Sequence, residues 1–180
     1  MTLTSFISII VSAVLFYGFY HLNDWLFKAF ELHTGANWIF LPAGLRLTCT
    51  LLFGLEGAIG LLIAALLLVH FNLALDPITG IVSALISSFA PYLVYVGALR
   101  TGMSSTLESL SAALLGVLSL VYALANSLLH SFWFLTRGIY THFLHNWITM
   151  FIGDLLGTLI ILYTLKTIDA LYRRRPRQST

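Results

Sequence analysis

Long apolar segments recur along almost the whole chain, each close to the length that a helix needs to cross a membrane. The hydrocarbon core of a bilayer is about 30 Å thick, so a spanning helix needs roughly 20 mostly apolar residues. The segments near that length are Thr4–Tyr20, Asn37–Phe53, Glu56–His70, Ile78–Leu99, Thr106–Phe134 and Asn146–Leu171. The sequence therefore predicts an all-α, polytopic transmembrane bundle of about six helices.

The scarcity of charged residues supports this fold class. Of the 180 residues, 59% are hydrophobic and only 9% are charged, whereas a soluble domain carries about 25% charged residues because its surface faces water. Lipid is therefore the solvent for most of this surface. We predict one transmembrane domain over residues 1–172 and a basic cytoplasmic tail over residues 173–180, which we expect to be disordered.

The number of spans depends on one short boundary. Only Gly54 and Leu55 separate the second segment from the third, and the third segment is short. These two segments could therefore form one tight helical hairpin. Five or seven spans remain compatible with the same pattern.

Positive charge collects on one side of the predicted bundle. Cytoplasmic loops of membrane proteins are enriched in Lys and Arg. With six spans, Arg100 and Lys166 share a side with the tail, while Lys28 and Arg137 lie on the other side. The arginines of the tail are Arg173, Arg174, Arg175 and Arg177. We therefore predict that both termini are cytoplasmic and that the tail is a topology signal, not a nucleic-acid-binding patch.

Two ionisable residues, Arg46 and Asp154, are predicted to lie in the middle of the membrane. They follow the starts of the second and sixth segments by nine and eight residues. Both segments are predicted to run in the same direction, so at 1.5 Å per residue the two side chains lie at similar depth. We predict that Arg46 and Asp154 pair across these helices. Such a pair either fixes helix register or forms the floor of a polar cavity that binds a ligand or carries a proton.

Small residues at three- and four-residue spacing predict the faces on which the helices pack. Lipid chains are as apolar as leucine, so membrane helices associate through close packing and polar contacts. The small residues are Gly57, Gly60 and Ala64; Gly80, Ala84 and Ser88; Ala112 and Gly116; and Gly153 and Gly157. In the fifth segment, Asn126 is predicted to form a hydrogen bond between helices.

Four histidines are alternative ligand-binding residues. His70 and His130 end the third and fifth segments at comparable height. His142 and His145 are three residues apart, which places them on one face of a helix. Imidazole is a common metal ligand, and paired histidines also ligate haem. No HExxH-type spacing accompanies them, so we predict no cofactor, with haem or a metal ion at these histidines as the alternative.

Recognisable catalytic motifs do not occur in the sequence. It has no P-loop, no GxSxG elbow and no paired carboxylate array. We therefore predict that the protein is not an enzyme and has no catalytic residues.

Two stretches resemble the bacterial membrane-associated sensor domain family. In the first, residues 37–60, Trp38, Pro42 and Gly44 precede a glycine-marked turn. The second begins with Gly153-Asp154 and continues to Gly157 and Leu159, which is similar to the Gly-Asp-x-x-Gly-x-Leu signature of the last helix in that family. The resemblance implies a multi-helix input module of the bacterial inner membrane that senses a signal in or near the bilayer.

Members of that family feed a cytoplasmic histidine kinase or diguanylate cyclase. Here only a basic tail follows the last predicted helix, so the resemblance implies action through a partner protein. The leading hypothesis is a non-enzymatic, sensor-like module that binds a small ligand or a partner membrane protein. A small transporter or substrate-binding membrane subunit is the alternative, and a haem or metal protein is a third hypothesis.

Overall fold

Helices form nearly all of the structure. The computed structural model describes residues 2–27, 31–33, 36–71, 76–103, 110–139 and 142–173. The helices are α1 (Leu3–Phe27), α2 (Leu41–Phe71), α3 (Pro77–Arg100), α4 (Ala112–Thr136) and α5 (Phe143–Arg173). Two short antiparallel strands, β1 (Glu31–His33) and β2 (Ala36–Asn37), lie between α1 and α2.

The predicted helical class is confirmed. The predicted count of six differs from the structure by one, because the second and third predicted segments are joined as two arms of one helix, α2. Within the described ranges, five helices are long and apolar enough to cross a membrane, which indicates a multi-pass membrane protein. The predicted start of the fifth segment at Thr106 and the tail residues 174–180 lie outside the described residues.

The difference in count arises at Gly54, inside α2. Gly54 has φ 58° and ψ −126°, a conformation outside the helical region with a positive φ that glycine adopts without steric cost. The carbonyl carbon of Cys49 lies 2.8 Å from the point where a Cβ on Gly57 would stand. In a straight helix, these two residues would be about 12 Å apart along the axis. The chain therefore reverses direction at Gly54, and α2 is a tight helical hairpin with two antiparallel arms.

Helix α1 lies along both arms of this hairpin. Near its end, Asn23 Oδ1 accepts a hydrogen bond from the backbone nitrogen of Leu41, at 2.9 Å. Near its start, the Ser5 hydroxyl donates to Glu56 Oε1, at 3.1 Å. The first arm of α2 therefore runs antiparallel to α1, and the second arm returns beside it.

Most of the small residues predicted from spacing lie at helix contacts, and the exceptions are on α4, where Ala112 is exposed and Gly116 is loosely packed. A Cβ on Gly60 would stand 2.8 Å from the Cβ of Ser12 in α1, and one on Gly80 would stand 3.2 Å from Val69 Cγ2 in α2. The nearest atom to a Cβ on Gly116 is 3.4 Å away, which is ordinary van der Waals contact. Close packing therefore fixes the α1–α2 and α2–α3 contacts more tightly than the surroundings of Gly116.

At one end of the bundle, Asp76 and Arg137 connect α3 to α4. Asp76 caps α3 by accepting a hydrogen bond from the backbone nitrogen of Thr79, at 3.1 Å. Arg137 Nη2 donates to the same carboxylate oxygen, also at 3.1 Å. Hydrogen bonding from Thr79 and then the Arg137 charge hold the pKa of Asp76 below its usual value. Because the pair is exposed, it adds little to stability, but it gives this end of the α3–α4 contact a polar rim.

Replacing Gly57 tests the hairpin. We expect Gly57→Ala to lower the free energy of unfolding by about 1–3 kcal/mol, because the new Cβ would collide with backbone atoms that cannot rotate away. Gly18→Ala is the matched control, since no atom lies within 4 Å of its Cβ position and the change should stabilise α1 by up to about 1 kcal/mol. Thermal unfolding in detergent micelles measures both. Equal effects would contradict the hairpin contact.

Acidification tests the Asp76 cap. A lowered pKa means that the ionised carboxylate favours the folded state, so its contribution is present above the ordinary pKa of 3.8 and is lost as pH falls through the lower folded value. We expect hydrogen exchange at the Thr79 amide, corrected for intrinsic rates, to accelerate below that pH. Asp76→Asn should remove the acceleration because an amide caps the helix without titrating. An unchanged profile in the variant would show that another group is responsible.

Candidate functional site

Glycines let α2 and α5 approach each other closely. A Cβ on Gly44 would stand 2.6 Å from the Cβ of Ile161 and 2.7 Å from the carbonyl oxygen of Gly157. Just before α2, the backbone nitrogen of Phe40 donates to the carbonyl oxygen of Gly153, at 3.2 Å. Because no side chain larger than hydrogen fits at Gly44, the start of α2 is fixed directly on the middle of α5.

The two stretches that resemble the sensor family therefore contact each other. Trp38 is half-buried in the loop before α2, and Pro42 is buried in the first turn of α2. Gly153 and Gly157 belong to the second stretch, more than 100 residues further along the chain. The structure assigns a packing role to these glycines, and the same contact brings Arg46 and Asp154 into one region.

Arg46 is a buried cation that lies over two aromatic rings. Its side chain is only 8% exposed. The guanidinium carbon lies 5.0 Å from the ring centroid of Phe16 in α1 and 5.1 Å from that of Phe40. Aromatic faces attract cations at these distances, and more strongly where water is excluded. The two rings therefore offset part of the cost of placing a charge at this depth.

Asp154 lies in the same buried region as Arg46, and its hydrogen-bond partner is Asn126. The carboxylate is 3% exposed, and Asn126 Nδ2 donates to its Oδ2 at 2.6 Å. The prediction that Asn126 hydrogen-bonds between helices is confirmed, since it joins α4 to α5. The Arg46 charge acts electrostatically on Asp154.

The structure gives Arg46 and Asp154 a shared environment rather than a direct contact. Arg137 and Asp76 form an ion pair within 4.0 Å, whereas no such contact joins Arg46 to Asp154. The physical reason is the position of the guanidinium, which lies over the rings of Phe16 and Phe40. Arg46 and Asp154 thus lie in one buried cluster, in which Asn126 provides the hydrogen bond to the Asp154 carboxylate.

Helix α4 contributes a polar stripe to this cluster. Tyr122, Asn126 and His130 follow each other at four-residue spacing and are all buried. The His130 Nδ1 donates to the carbonyl oxygen of Asn126, at 3.0 Å. A neutral imidazole then accepts at Nε2, and the hydroxyl of Ser87 in α3 lies 3.3 Å away as the donor. His130 is therefore a hydrogen-bonding member of this cluster.

We use the name intramembrane cluster for the group that comprises Arg46, Asp154, Tyr122, Asn126, His130, Ser87 and the rings of Phe16 and Phe40. Three of its polar atoms have no hydrogen-bond partner among the described residues. They are Arg46 Nε, the Tyr122 hydroxyl and Asn126 Oδ1. The Tyr122 hydroxyl lies beside the Arg46 guanidinium without forming a hydrogen bond of good geometry. Buried polar groups are nearly always paired, so one donor, one acceptor and one hydroxyl that can do either are left with hydrogen-bonding capacity.

The structure separates the remaining histidines from this cluster. His142 and His145 are exposed and line the same open depression at the start of α5. His70 is exposed at the end of α2, where its ring lies 5.2 Å from that of Phe71. No group of three or more His, Cys, Asp or Glu in the described ranges is placed to hold a metal ion. Haem or metal binding at these histidines stays a prediction.

Sequence reasoning missed four members of the cluster: Tyr122, Ser87, Phe16 and Phe40. A signal for Tyr122 was available, because polar side chains at four-residue spacing on an apolar helix lie on one face. No pattern marks the two phenylalanines among the many apolar residues of the chain.

Comparisons with known proteins do not identify a relative. No family model matches the chain, and neither the curated proteins nor the solved structures contain a match.

Removing the Asp154 carboxylate tests the electrostatic balance of the cluster. We expect Asp154→Leu to lower the free energy of unfolding by about 3–5 kcal/mol, because it leaves the buried Arg46 charge uncompensated and the Asn126 amide without its acceptor. Thr158→Val, one turn along α5, should cost about 1 kcal/mol or less, because Thr158 bonds only the backbone of its own helix.

A double-mutant cycle with Arg46→Met, followed by unfolding in detergent, separates coupling from simple damage. If the charges balance each other, the double variant should be less destabilised than the sum of the single changes. If the losses in unfolding free energy are additive, the two charges are not coupled.

Proposed function

We propose that the protein is a non-enzymatic, sensor-like membrane module in which the intramembrane cluster binds a small polar ligand. The observation that carries this proposal is the set of unpartnered atoms on Arg46, Tyr122 and Asn126. Polar groups at this depth are costly, and those that persist in membrane proteins commonly mark ligand or ion pathways.

The chemistry of the cluster defines the class of ligand. Arg46 and Asp154 have opposite charges in their ordinary ionised forms, so the site has little net charge to attract an ion. Arg46 Nε offers a donor, Asn126 Oδ1 an acceptor and the Tyr122 hydroxyl either role. A small neutral amide or a zwitterionic amino acid, with donor and acceptor atoms close together, fits this combination.

A purely structural cluster that fixes helix register would be expected to satisfy its own atoms. Networks that rigidify a core are stabilising when every member is paired and costly when some are not. Here Asp154 and His130 are paired, while three neighbouring atoms are not. The presence of both paired and unpaired polar atoms supports a ligand-binding role over one in which Arg46 and Asp154 only fix helix register.

Ligand binding at this position would couple several helices. Arg46 belongs to α2, Tyr122 and Asn126 to α4, and Asp154 to α5. A ligand that contacts all three helices stabilises the helix arrangement that it fits best. It therefore shifts the population of molecules toward that arrangement. We propose that a partner membrane protein detects this shift, in the inner membrane of a bacterium as the family resemblance implies.

A small transporter is the second candidate, and Pro91 within α3 is the observation that favours it. Proline lacks a backbone N–H and interrupts helical hydrogen bonding, as in the discontinuous helices of transporters. Uptake of the same amides and amino acids into reconstituted vesicles separates the two functions. A sensor binds without net uptake, whereas a transporter accumulates its substrate.

Tyr122→Phe tests the binding proposal with a minimal change. A ligand at 100 times its Kd stabilises its protein by about 2.7 kcal/mol, so we expect one class in a panel of small amides and amino acids to raise the Tm of the native protein. Without ligand, Tyr122→Phe should be neutral or stabilising, because it removes a buried hydroxyl that has no partner. With ligand, the variant should lose most of the Tm increase.

Tyr172→Phe is the matched control, because Tyr172 is 74% exposed near the end of α5. It should respond to the panel as the native chain does. A panel without effect on the native protein, or an equal Tm increase in Tyr122→Phe, would contradict the proposal.

A further inference from the structure

A line of polar side chains connects the intramembrane cluster to the Asp76 end of the bundle. On α3, the helix-capping Asp76 is followed by Ser83 and Ser87, and on α4 His130 lies opposite them. We call this line the α3–α4 polar seam, and its members are Asp76, Ser83, Ser87, Asn126, His130 and Arg137.

Contacts at three levels show that the two sides of the seam face each other. At the rim, Arg137 donates to Asp76 at 3.1 Å. Further in, the Ser87 hydroxyl and His130 Nε2 are 3.3 Å apart, and the backbone of Ser83 also lies against the imidazole of His130. At 1.5 Å per residue, Ser87 is about 16 Å along α3 from Asp76. The seam therefore reaches roughly half the thickness of a bilayer core.

The hydroxyl of Ser83 is one of several buried hydroxyls that have no hydrogen-bond partner among the described residues. Hydroxyls in membrane helices commonly donate to the carbonyl four residues earlier. Several do so here: Thr48, Thr50, Ser88, Ser119 and Thr158. Ser83 Oγ is buried and has no partner among the described residues, so its hydrogen-bonding capacity is not used by its own helix.

Pro91 adds a second polar group at the inner part of the seam. In a regular helix, the N–H of residue 91 would bond the carbonyl of Ser87. Proline has no N–H, so this carbonyl loses its usual donor at the level where Ser87 meets His130. In membrane helices, water and neighbouring side chains commonly satisfy backbone groups freed in this way.

Beyond His130, the seam continues to Asp154. The Nδ1 of His130 donates to the backbone carbonyl of Asn126, and the side-chain amide of Asn126 donates to Asp154. Asn126 is 1% exposed, and its Oδ1 is unpartnered among the described residues. A buried water needs about two to four polar partners, and the seam offers Ser83 Oγ, Asn126 Oδ1 and the Ser87 carbonyl as atoms with hydrogen-bonding capacity.

We propose that the α3–α4 polar seam is a hydrated path that brings water and protons from the Asp76 end of the bundle to Asp154. A proton would arrive as hydronium at the rim, pass along hydrogen-bonded water and bind one carboxylate oxygen of Asp154, which neutralises the carboxylate without any other bond change. Among the described residues, the titratable and charged groups around Asp154 are Arg46 on α2 and Tyr122 and His130 on α4.

This inference rests on the proposed function only because the path ends at the proposed binding site. It deepens that function by giving the site aqueous access from one side. The seam and the ligand-binding atoms can be changed separately, so either proposal can fail without the other.

Cysteine accessibility tests the path in proteoliposomes. Ser83→Cys places a thiol in the seam, and Leu85→Cys places one two residues away on the same helix, where Leu85 is 42% exposed toward lipid. The native chain, in which the single cysteine Cys49 is buried, gives the background rate. The probe is a permanently charged, water-soluble methanethiosulfonate, which reacts with thiolate.

We expect Ser83→Cys to react at least about tenfold faster than Leu85→Cys, because a thiol ionises in water and not in lipid. Equal slow rates at both positions would overturn the hydrated path. Equal fast rates would do so as well, because they would show a loosened helix and not a defined seam.

A second measurement tests whether the path reaches Asp154. At a pH low enough to protonate Asp154, the infrared carboxylic-acid band that disappears in Asp154→Asn reports deuterium exchange at this side chain. Ser83→Leu should fill the seam and slow that exchange at least about tenfold, since a water chain needs continuous polar partners, whereas Leu85→Ile on the lipid face should leave it unchanged. Exchange that is equally fast in Ser83→Leu would overturn the proposal.

Two further variants distinguish failure of the path from failure of the binding site. Ser83→Leu should keep the equilibrium Tm increase with the ligand panel, because Ser83 is outside the ligand-binding atoms. Tyr122→Phe combined with Ser83→Cys should lose the Tm increase and keep the fast thiol reaction. Loss of the thiol reaction in that combination would show that the seam depends on the site, which would overturn the path as a separate feature.

Discussion

The cost of burying the Arg46 charge in a bundle surrounded by lipid sets the organisation of the interior. A charged group at this depth needs compensation, and it comes from several parts of the chain at once. The guanidinium lies over the rings of Phe16 and Phe40, and the charge of Asp154 acts from α5. Moving any of these elements outward would leave the cation unscreened. The relative positions of α1, α2 and α5 are thus coupled to one side chain.

Glycines make this arrangement sterically possible. Helices of ordinary composition pack about 8–10 Å apart, whereas at Gly44 even a Cβ would collide with Ile161 and Gly157. The reversal at Gly54 matters equally, because it folds the second arm of α2 back beside α1. Polar chemistry in the centre therefore depends on backbone positions that have no side chain.

The polar atoms of the interior are hydrogen-bonded on one side of the cluster and have unused hydrogen-bonding capacity on the other. This difference connects the packing of the helices to the proposed function. Towards α5, Asp154 and Asn126 are hydrogen-bonded. Towards α3, the Ser83 hydroxyl has no partner among the described residues, and the Ser87 carbonyl lacks the donor that Pro91 cannot provide. A ligand-binding cluster that water reaches from the α3 side accounts for both observations. His130 joins the two sides, since it contacts Ser87 in α3 and the Asn126 carbonyl in α4.

The sequence by itself determined the helical class, the apolar character of the long helices and most of the small-residue contact faces, because each follows from local composition and helical spacing. It also predicted that Arg46 and Asp154 lie near each other, and in the structure the Arg46 charge acts on Asp154. It could not decide whether the segments around Gly54 form one helix or two, since that depends on a single backbone conformation. Nor could it choose Asn126 over Arg46 as the hydrogen-bond partner of Asp154. Only the tertiary structure decided those points, because helix rotation and the approach of Phe16 and Phe40 depend on contacts between residues far apart in the chain.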